Sequence, residues 1–421
     1  ITKIDGGKNL KGAFQKCSSL KKIRIPDAVK EIPYWCFQGC SSLEEIEISA
    51  NSKITTIGES AFSSCSSLKR INIPDAVTEI PFMCFSVCSS LEEVNISANS
   101  ALSTIGSNAF QDCSSMKKIT MPDAVTEISG YCFYGCTALE EVNISSNSTL
   151  AKIGDYAFCG CTSLKKINIP DAVTELPTKS FSGCSSLEEV VFSSHSQLTK
   201  IGGYAFSSCT SLKKINIPDG VTKIPYYCFQ GCYVLEEIKI SANSSISEIE
   251  EHAFYDCSSL KTVYIPGAVT EIPDFCFLNS GLEYLVLSDN IKTISISAFS
   301  GCNSLNSILF MQPTPPAMIR NLSNRIFIYV PQKIYDAYVE AGVDQYFKLI
   351  ALDDKQVAEY KENGEVYDDG VNDYLTVSVD GKDFYKFKAT LQNNYCETLE
   401  LVRYIIREED TSNAVANQRY S

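Results

Sequence analysis

Ile57-Gly58-Glu-Ser-Ala61-Phe62-Ser-Ser-Cys65-Ser-Ser-Leu68-Lys-Arg-Ile71-Asn-Ile73-Pro74 is the stretch on which the fold turns. Phe62 is one mark of a ruler: phenylalanine recurs at Phe14, Phe37, Phe62, Phe85, Phe110, Phe133, Phe158, Phe181, Phe206, Phe229, Phe254, Phe277 and Phe299. The steps alternate between 23 and 25 residues, with a last step of 22, so two kinds of unit alternate in a 48-residue double repeat. The two extra residues of the longer unit sit in a Ser/Asn-rich stretch after the strand, as in Ser97-Ala-Asn-Ser100, where a loop absorbs insertion without moving a core.

Within each unit L-x-x-I-x-I places apolar residues at period two and predicts a strand. Pro26, Pro74, Pro122, Pro170, Pro218 and Pro266 follow it directly and end the ladder, because proline has no N–H to donate. The Ala-Phe or Cys-Phe pair then predicts a short helical or 3₁₀ turn leading into the next strand. A single unit cannot bury its own apolar face; stacked units share one continuous core and touch only their neighbours. At ~4.8 Å per parallel strand the stack would extend roughly 60 Å.

This pattern resembles the leucine-rich repeats of the BspA-like, or Treponema-type, class over about residues 10–310. With the resemblance, the expected fold is an α/β solenoid, a right-handed superhelix with a parallel concave sheet; the ruler gives it about 13 repeats of alternating 23 and 25 residues, and the residues beyond it are read as a small β module. It also implies a protein of the cell surface or secreted from host-associated bacteria or parasitic protists, adhering to host or microbial proteins. An intracellular interaction scaffold, or the binding part of a larger enzyme, is the alternative. We divide the chain into a solenoid at 1–310, its C-terminal cap at 311–352, and an acidic antiparallel β module at 353–421 with a frayed tail from 411. Ile1-Thr-Lys-Ile4 matches the tail of a repeat, so the chain is expected to be a trimmed or mature fragment whose signal peptide is gone.

Composition narrows the function. Of 421 residues, 36 are basic and 50 acidic, a net charge of −14, the wrong sign for a nucleic-acid partner. No apolar run reaches the ~18 residues of a membrane span. The two histidines, His195 and His252, sit in unrelated repeat positions, and no phosphate loop, G-x-S-x-G or HExxH occurs. We expect no catalysis, no cofactor and no metal.

Nineteen cysteines invite a disulfide or zinc reading, but position argues otherwise. Most lie three residues after the phenylalanine, as Cys65 and Cys88 do, and others immediately before it, as Cys36 and Cys84 do. The latter position holds Ala61, Ala109, Ala157, Ala205 or Ser180 elsewhere, which marks a small buried slot. We therefore expect a reduced core ladder.

Three surfaces could meet a partner. Position three of the strand motif alternates in sign from Lys22, Glu45 and Arg70 to Lys214 and Glu237, a stripe that neutralises itself and is read as structural. It then breaks into Thr262, Tyr264, Tyr284, Val286 and Leu309, an apolar and aromatic cluster that is either covered by the cap or a protein-binding patch. A second stripe, two residues before each ruler mark, holds Trp35, Met83, Tyr131, Tyr156, Tyr204, Tyr227 and Phe275; it either packs between turns or stacks on glycans or peptides.

Beyond Phe310, Ile326–Pro331 predicts one more strand and Gln332–Ala341 a short helix carrying Ile334, Tyr338 and Ala341 on one face. From residue 351 onward acidic residues number 15 and basic ones 8. Tyr374–Val379 and Phe384–Lys388 flank the hairpin signal Asp380-Gly381, with a further strand at Thr398–Ile406. Asp368–Asp373 is acidic enough to suggest calcium but lacks EF-hand spacing, and is read as a solvated loop.

Overall fold

Each unit begins with a strand of a main sheet. Arg70–Ile73 is typical: its residues alternate exposed and buried, which drives Ile71 and Ile73 inward. Pro74 then opens a turn whose carbonyl accepts the Val77 N–H at 3.0 Å. A two-residue strand of a second sheet follows, Glu79–Ile80, and the chain turns through Phe85 into the next unit. The computed structural model describes residues 12–241, 243–316 and 326–363, together with the backbone of three later strands, Asp373–Ser378, Asp383–Gln392 and Tyr395–Ile406. The whole is a parallel-strand solenoid of about 14 turns with little helix.

The phenylalanine ruler is the spine of that solenoid. From Phe37 to Phe277 every ring is fully buried. Successive rings lie 5.1–5.9 Å apart, with interplanar angles of at most 10°. Beside it runs the cysteine column, and here the side chains do more than fill space. The Cys65 thiol donates to the Phe37 carbonyl of the preceding unit at 3.1 Å, Cys88 to Phe62 at 3.1 Å, and the same bond recurs down to Cys302 and Phe277 at 2.9 Å. Burial pushes the Cys232 thiol up to about 12, so it stays a protonated donor to the Phe206 carbonyl, at 3.1 Å, rather than a reactive thiolate; it does the same to the Cys36 thiol just before Phe37.

The expected helical or 3₁₀ turn at the phenylalanine does not form. Single hydrogen-bonded turns follow one another instead, as from Cys84 to Pro81 and from Cys88 to Phe85. They cannot fuse because residues two before and two after the ring take left-handed backbone, as Met83 (φ 53°) and Val87 (φ 61°) do. In exchange this corner carries its own ladder: Phe62 N–H bonds to Cys84 O at 2.9 Å and Phe85 N–H to Ala109 O at 2.8 Å, unit after unit.

The two sheets show why the repeat is double. Within a short–long pair both sheets pair in register, for example Arg70–Ile73 with Glu93–Ile96 and Glu79–Ile80 with Thr104–Ile105. From a long unit to the next short one the main sheet keeps at most one residue pair, such as Glu45 with Arg70 or Glu141 with Lys166. The longer unit's loop explains the bias. Its serine reaches back to the aspartate after the preceding strand, Ser97 Oγ to Asp75 Oδ1 at 2.6 Å and Ser49 to Asp27 at 2.7 Å, and so draws each long unit onto the short one before it. The physical building block is a 48-residue pair.

At the C-terminal end the main sheet runs without interruption through Tyr284–Leu287, Ser307–Phe310, Phe327–Pro331 and Lys348–Leu352. A 3₁₀ turn, Gln332–Ile334, leads into helix α1, Tyr335–Glu340, whose Tyr338 is fully buried and donates to Gln312 O at 3.3 Å. Ile334 packs on the core as expected; Ala341 is exposed, since the helix ends before it. Helix α2, Asp354–Asn363, was not anticipated and lays Val357 against the sheet. The three later strands pair antiparallel in chain order. The Asp380-Gly381 turn, the Asp368–Asp373 acidic run save the Asp373 backbone, and the tail from 411 lie outside the described residues.

Candidate functional site

The cluster singled out at the end of the charged stripe divides in two. Register aligns Tyr264, Val286, Leu309, Tyr329 and Ile350 in one row across the solvent face of the main sheet. Burial rises along that row: Tyr264 is 43% exposed, Val286 half-buried, and Leu309 fully buried. Leu309 is thus no surface residue. It sits with Tyr329, Ile350, Leu352 and Val357 in a small separate core that α2 closes. The outward face of a strand becomes interior wherever another element lies on it, and no local pattern around Leu309 announces α2.

The other four residues stay accessible together. Thr262, Tyr264, Tyr284 and Val286 line one groove of about 480 Å³, completed by Met311, Asp289 and Lys333. Its floor is aromatic and aliphatic, and the exposed Asp289 and Lys333 supply one charge of each sign. Burial pushes the Tyr284 phenol above its usual range, offset in part by a hydrogen bond with Thr262. Sequence reasoning missed Gly267, Ser288 and Asp289, although two signals were present. Gly267 stands where Asp27, Asp75, Asp123, Asp171 and Asp219 stand in earlier units, and the last phenylalanine step is short by three residues. Without the aspartate the serine clamp is lost; Ser288 turns to Pro266 O at 3.3 Å, and the shortened loop leaves the groove open.

Among the described residues the charged stripe forms ion pairs at three of its five short-to-long rungs. Lys22 meets Glu45 at 3.1 Å, Lys166 meets Glu189 at 2.8 Å and Lys214 meets Glu237 at 3.1 Å. These side chains are about half exposed, so each pair contributes only a few tenths of a kcal/mol.

The turn stripe forms a column over part of its length. Tyr131 stacks on Tyr156 at 4.6 Å, Tyr204 on Tyr227 at 4.7 Å, and Tyr227 on His252 at 4.5 Å, with Phe275 following His252 at 5.1 Å. Lys179 closes the gap, its Nζ 5.3 Å from the Tyr156 ring and 5.0 Å from the Tyr204 ring. Trp35 and Met83 are not in it, because Ser60 and Asn108 occupy the rungs between. Inside the column the ring faces are taken up by one another or by Lys179, which leaves mainly edges there for a glycan or peptide. Every member also sits at φ between 53° and 59°, a backbone region that costs an L-residue roughly 1–2 kcal/mol. Ser60, Met83 and Asn108 take the same backbone without a ring stack, so the turn ladder and not the stacking holds it. His195, by contrast, takes the loop position of Asn99, its N–H bonding Ser193 Oγ at 3.0 Å as Asn99 bonds Ser97.

The model of the BspA type leucine-rich repeat region matches residues 10–140, 103–236, 193–306 and 222–334. The chain belongs to the BspA-type leucine-rich repeat family. Among solved structures, a leucine-rich repeat protein from Bacteroides ovatus is 29% identical, covering 76% of this chain and 85% of that one, with a TM-score of 0.63. A leucine rich cell surface protein from Faecalibacterium prausnitzii is also 29% identical, covering 69% of this chain and 79% of that one, with a TM-score of 0.42. No curated protein matches the chain. Proteins of this BspA type use a repeat fold that serves as a protein-interaction scaffold. Among the described residues no helix is long and apolar enough to cross a membrane.

Proposed function

We propose that this BspA-type protein is a non-catalytic binding protein, exposed at the cell surface or secreted, that holds a host or microbial protein in the groove of Thr262, Tyr264, Tyr284 and Val286. One observation carries the reading: α2 covers the adjoining apolar row from Leu309 onward and stops short of Tyr264 and Val286. Apolar surface beside a covered core, rimmed by one acid and one base, is the usual anatomy of an interface centre, and tyrosine is over-represented among its anchors. The remaining solenoid is the scaffold that displays it, with opposite charges alternating along the stripe. We also propose that the cap extends through α2, since Val357 closes the Leu309 core, and that the acidic module follows it.

The test is adhesion of the purified chain to immobilised host matrix proteins. Tyr264→Ser combined with Tyr284→Ser is expected to weaken binding at least tenfold, the loss of one or two hot-spot anchors. Tyr227→Ser, on the turn stripe, serves as the control and leaves binding unchanged. Adhesion that survives the double substitution excludes the groove.

A further inference from the structure

The turn ridge carries a second apolar surface near the N-terminal end of the solenoid. Tyr34, Phe82 and Val87 are 49%, 41% and 42% exposed, and the half-buried Trp35 and Met83 lie beside them. Among the described residues neither Tyr34 nor Phe82 stacks on another ring, unlike the tyrosines of the column. Val87 is the informative member. Its backbone is left-handed at φ 61°, a region that a β-branched residue avoids, and glycine holds the equivalent position at Gly39, Gly135 and Gly183. With so much of the side chain in solvent, little burial within the single chain offsets that cost.

Because the ridge repeats at every rung, its residues are placed by rung and by distance from the phenylalanine. Successive rings stand 5.2–5.4 Å apart from Phe14 to Phe110. Two residues after them come Lys16, Gly39, Ser64, Val87 and Asp112, all at φ between 56° and 73°, so the five positions face outward in the same sense. This series is self-complementary about Ser64. Reversed end for end, the exposed base Lys16 meets Asp112, and the protruding Val87 meets Gly39, which has no side chain. The same reversal sets Tyr34 and Trp35 against Phe82 and Met83. Lys16 and Asp112 make no ion pair among the described residues; the Asp112 carboxylate accepts the Gln111 amide at 3.1 Å.

We propose that this ridge is the interface of an antiparallel homodimer, whose two-fold axis crosses the ridge at the rung of Ser64. A contact of this symmetry pairs each residue with its counterpart across the axis, so one surface supplies both knob and hole, and both base and acid. The apolar centre gains the burial that the single chain lacks, with tyrosine, tryptophan, phenylalanine and methionine as its anchors. Glu59 is the exception: exposed on the middle rung, it faces its own copy, and that like-charge pair weakens the contact. The Tyr264–Tyr284 groove lies several rungs further along, on the main sheet, so pairing leaves it open in both copies.

Sedimentation velocity of the full chain over a concentration series tests this, with a monomer–dimer equilibrium expected. Tyr34→Ser with Phe82→Ser is expected to weaken the dimer about tenfold or more, the loss of two anchors. Lys16→Asp and Asp112→Lys each weaken it about threefold or more, and the two together restore it, because the exchanged charges meet again across the axis. Glu59→Gln tightens it about threefold. Val87→Gly separates interface from fold: the melting temperature does not fall, since glycine suits this backbone, yet the dimer weakens. Tyr264→Ser with Tyr284→Ser leaves the dimer unchanged. A chain that stays monomeric up to about 100 µM overturns the proposal and leaves the patch to a different protein. A dimer indifferent to the Tyr34 and Phe82 substitutions, or lost with those in the groove, overturns it as well. If the Tyr34 and Phe82 variant does not fold, the charge exchange decides, and failure of the double exchange to restore association refutes the two-fold arrangement.

Discussion

Phe158 sits at the middle of the spine, fully buried, with Phe133 at 5.2 Å on one side and Phe181 at 5.4 Å on the other. Phe158→Ala removes the ring from a stack that cannot close over the gap, because the turns on either side are fixed by their own ladder. Truncating a buried phenylalanine costs about 3–5 kcal/mol, and the two lost ring pairs account for about 1–2 kcal/mol of that. Phe158→Leu keeps most of the volume and loses mainly the ring contacts, so about 1.5 kcal/mol is expected. Because a solenoid is coupled only through neighbours, the larger defect has a second effect. It uncouples the halves, and urea unfolding followed by circular dichroism splits from one transition into two for Phe158→Ala, while Phe158→Leu keeps one transition at a lower midpoint. A loss below about 1 kcal/mol for Phe158→Ala would refute the claim that the ring is the inward peg of its coil.

Two further outcomes follow from the cysteine and loop columns. The Cys36 and Cys232 thiols have folded pKa values raised by burial to about 12 from an ordinary 9.0, so their contribution is full below pH 9 and is lost as pH rises from 9 toward 12. Melting temperature is therefore expected to fall through that window, and iodoacetamide on the native protein to label the exposed Cys17 while sparing Cys84 and Cys132; a flat alkaline profile, or labelling of the buried column, contradicts this. Ser97→Ala deletes the clamp on Asp75 and is expected to cost about 1 kcal/mol in urea titration, with no loss expected for the same change at Ser194, which makes no such clamp.

The groove is defined as much by what covers its neighbour as by its own residues. Five aligned positions carry apolar or aromatic side chains, and only α2 separates Leu309, Tyr329 and Ile350, which are core, from Tyr264 and Val286, which are free. A binding surface of this kind is presented by the solenoid.

The spine, the small slots of the cysteine column, the opposed charges of the stripe and the parallel strands were all legible from the repeated letters. Each depends on residues a fixed number of positions apart, and a repeat converts such spacing directly into contact. Thr262, Tyr264, Tyr284 and Val286 were legible for the same reason: they are the rungs at which the stripe's letters change. The expected helical turn failed because the left-handed residues flanking each phenylalanine include Tyr, Lys, Met and Val, side chains that carry no signal for that backbone. Leu309 failed because its partner, α2, comes from a segment with no repeat to index it.

Sequence alone determined the coil and its period, because burying one peg per turn leaves a chain of this pattern a single way to hide its apolar face. Tertiary structure decided which part of the outer face is covered and where a groove opens. Those outcomes depend on balances between neighbouring turns and on the docking of a non-repeating helix, and no run of adjacent residues encodes them.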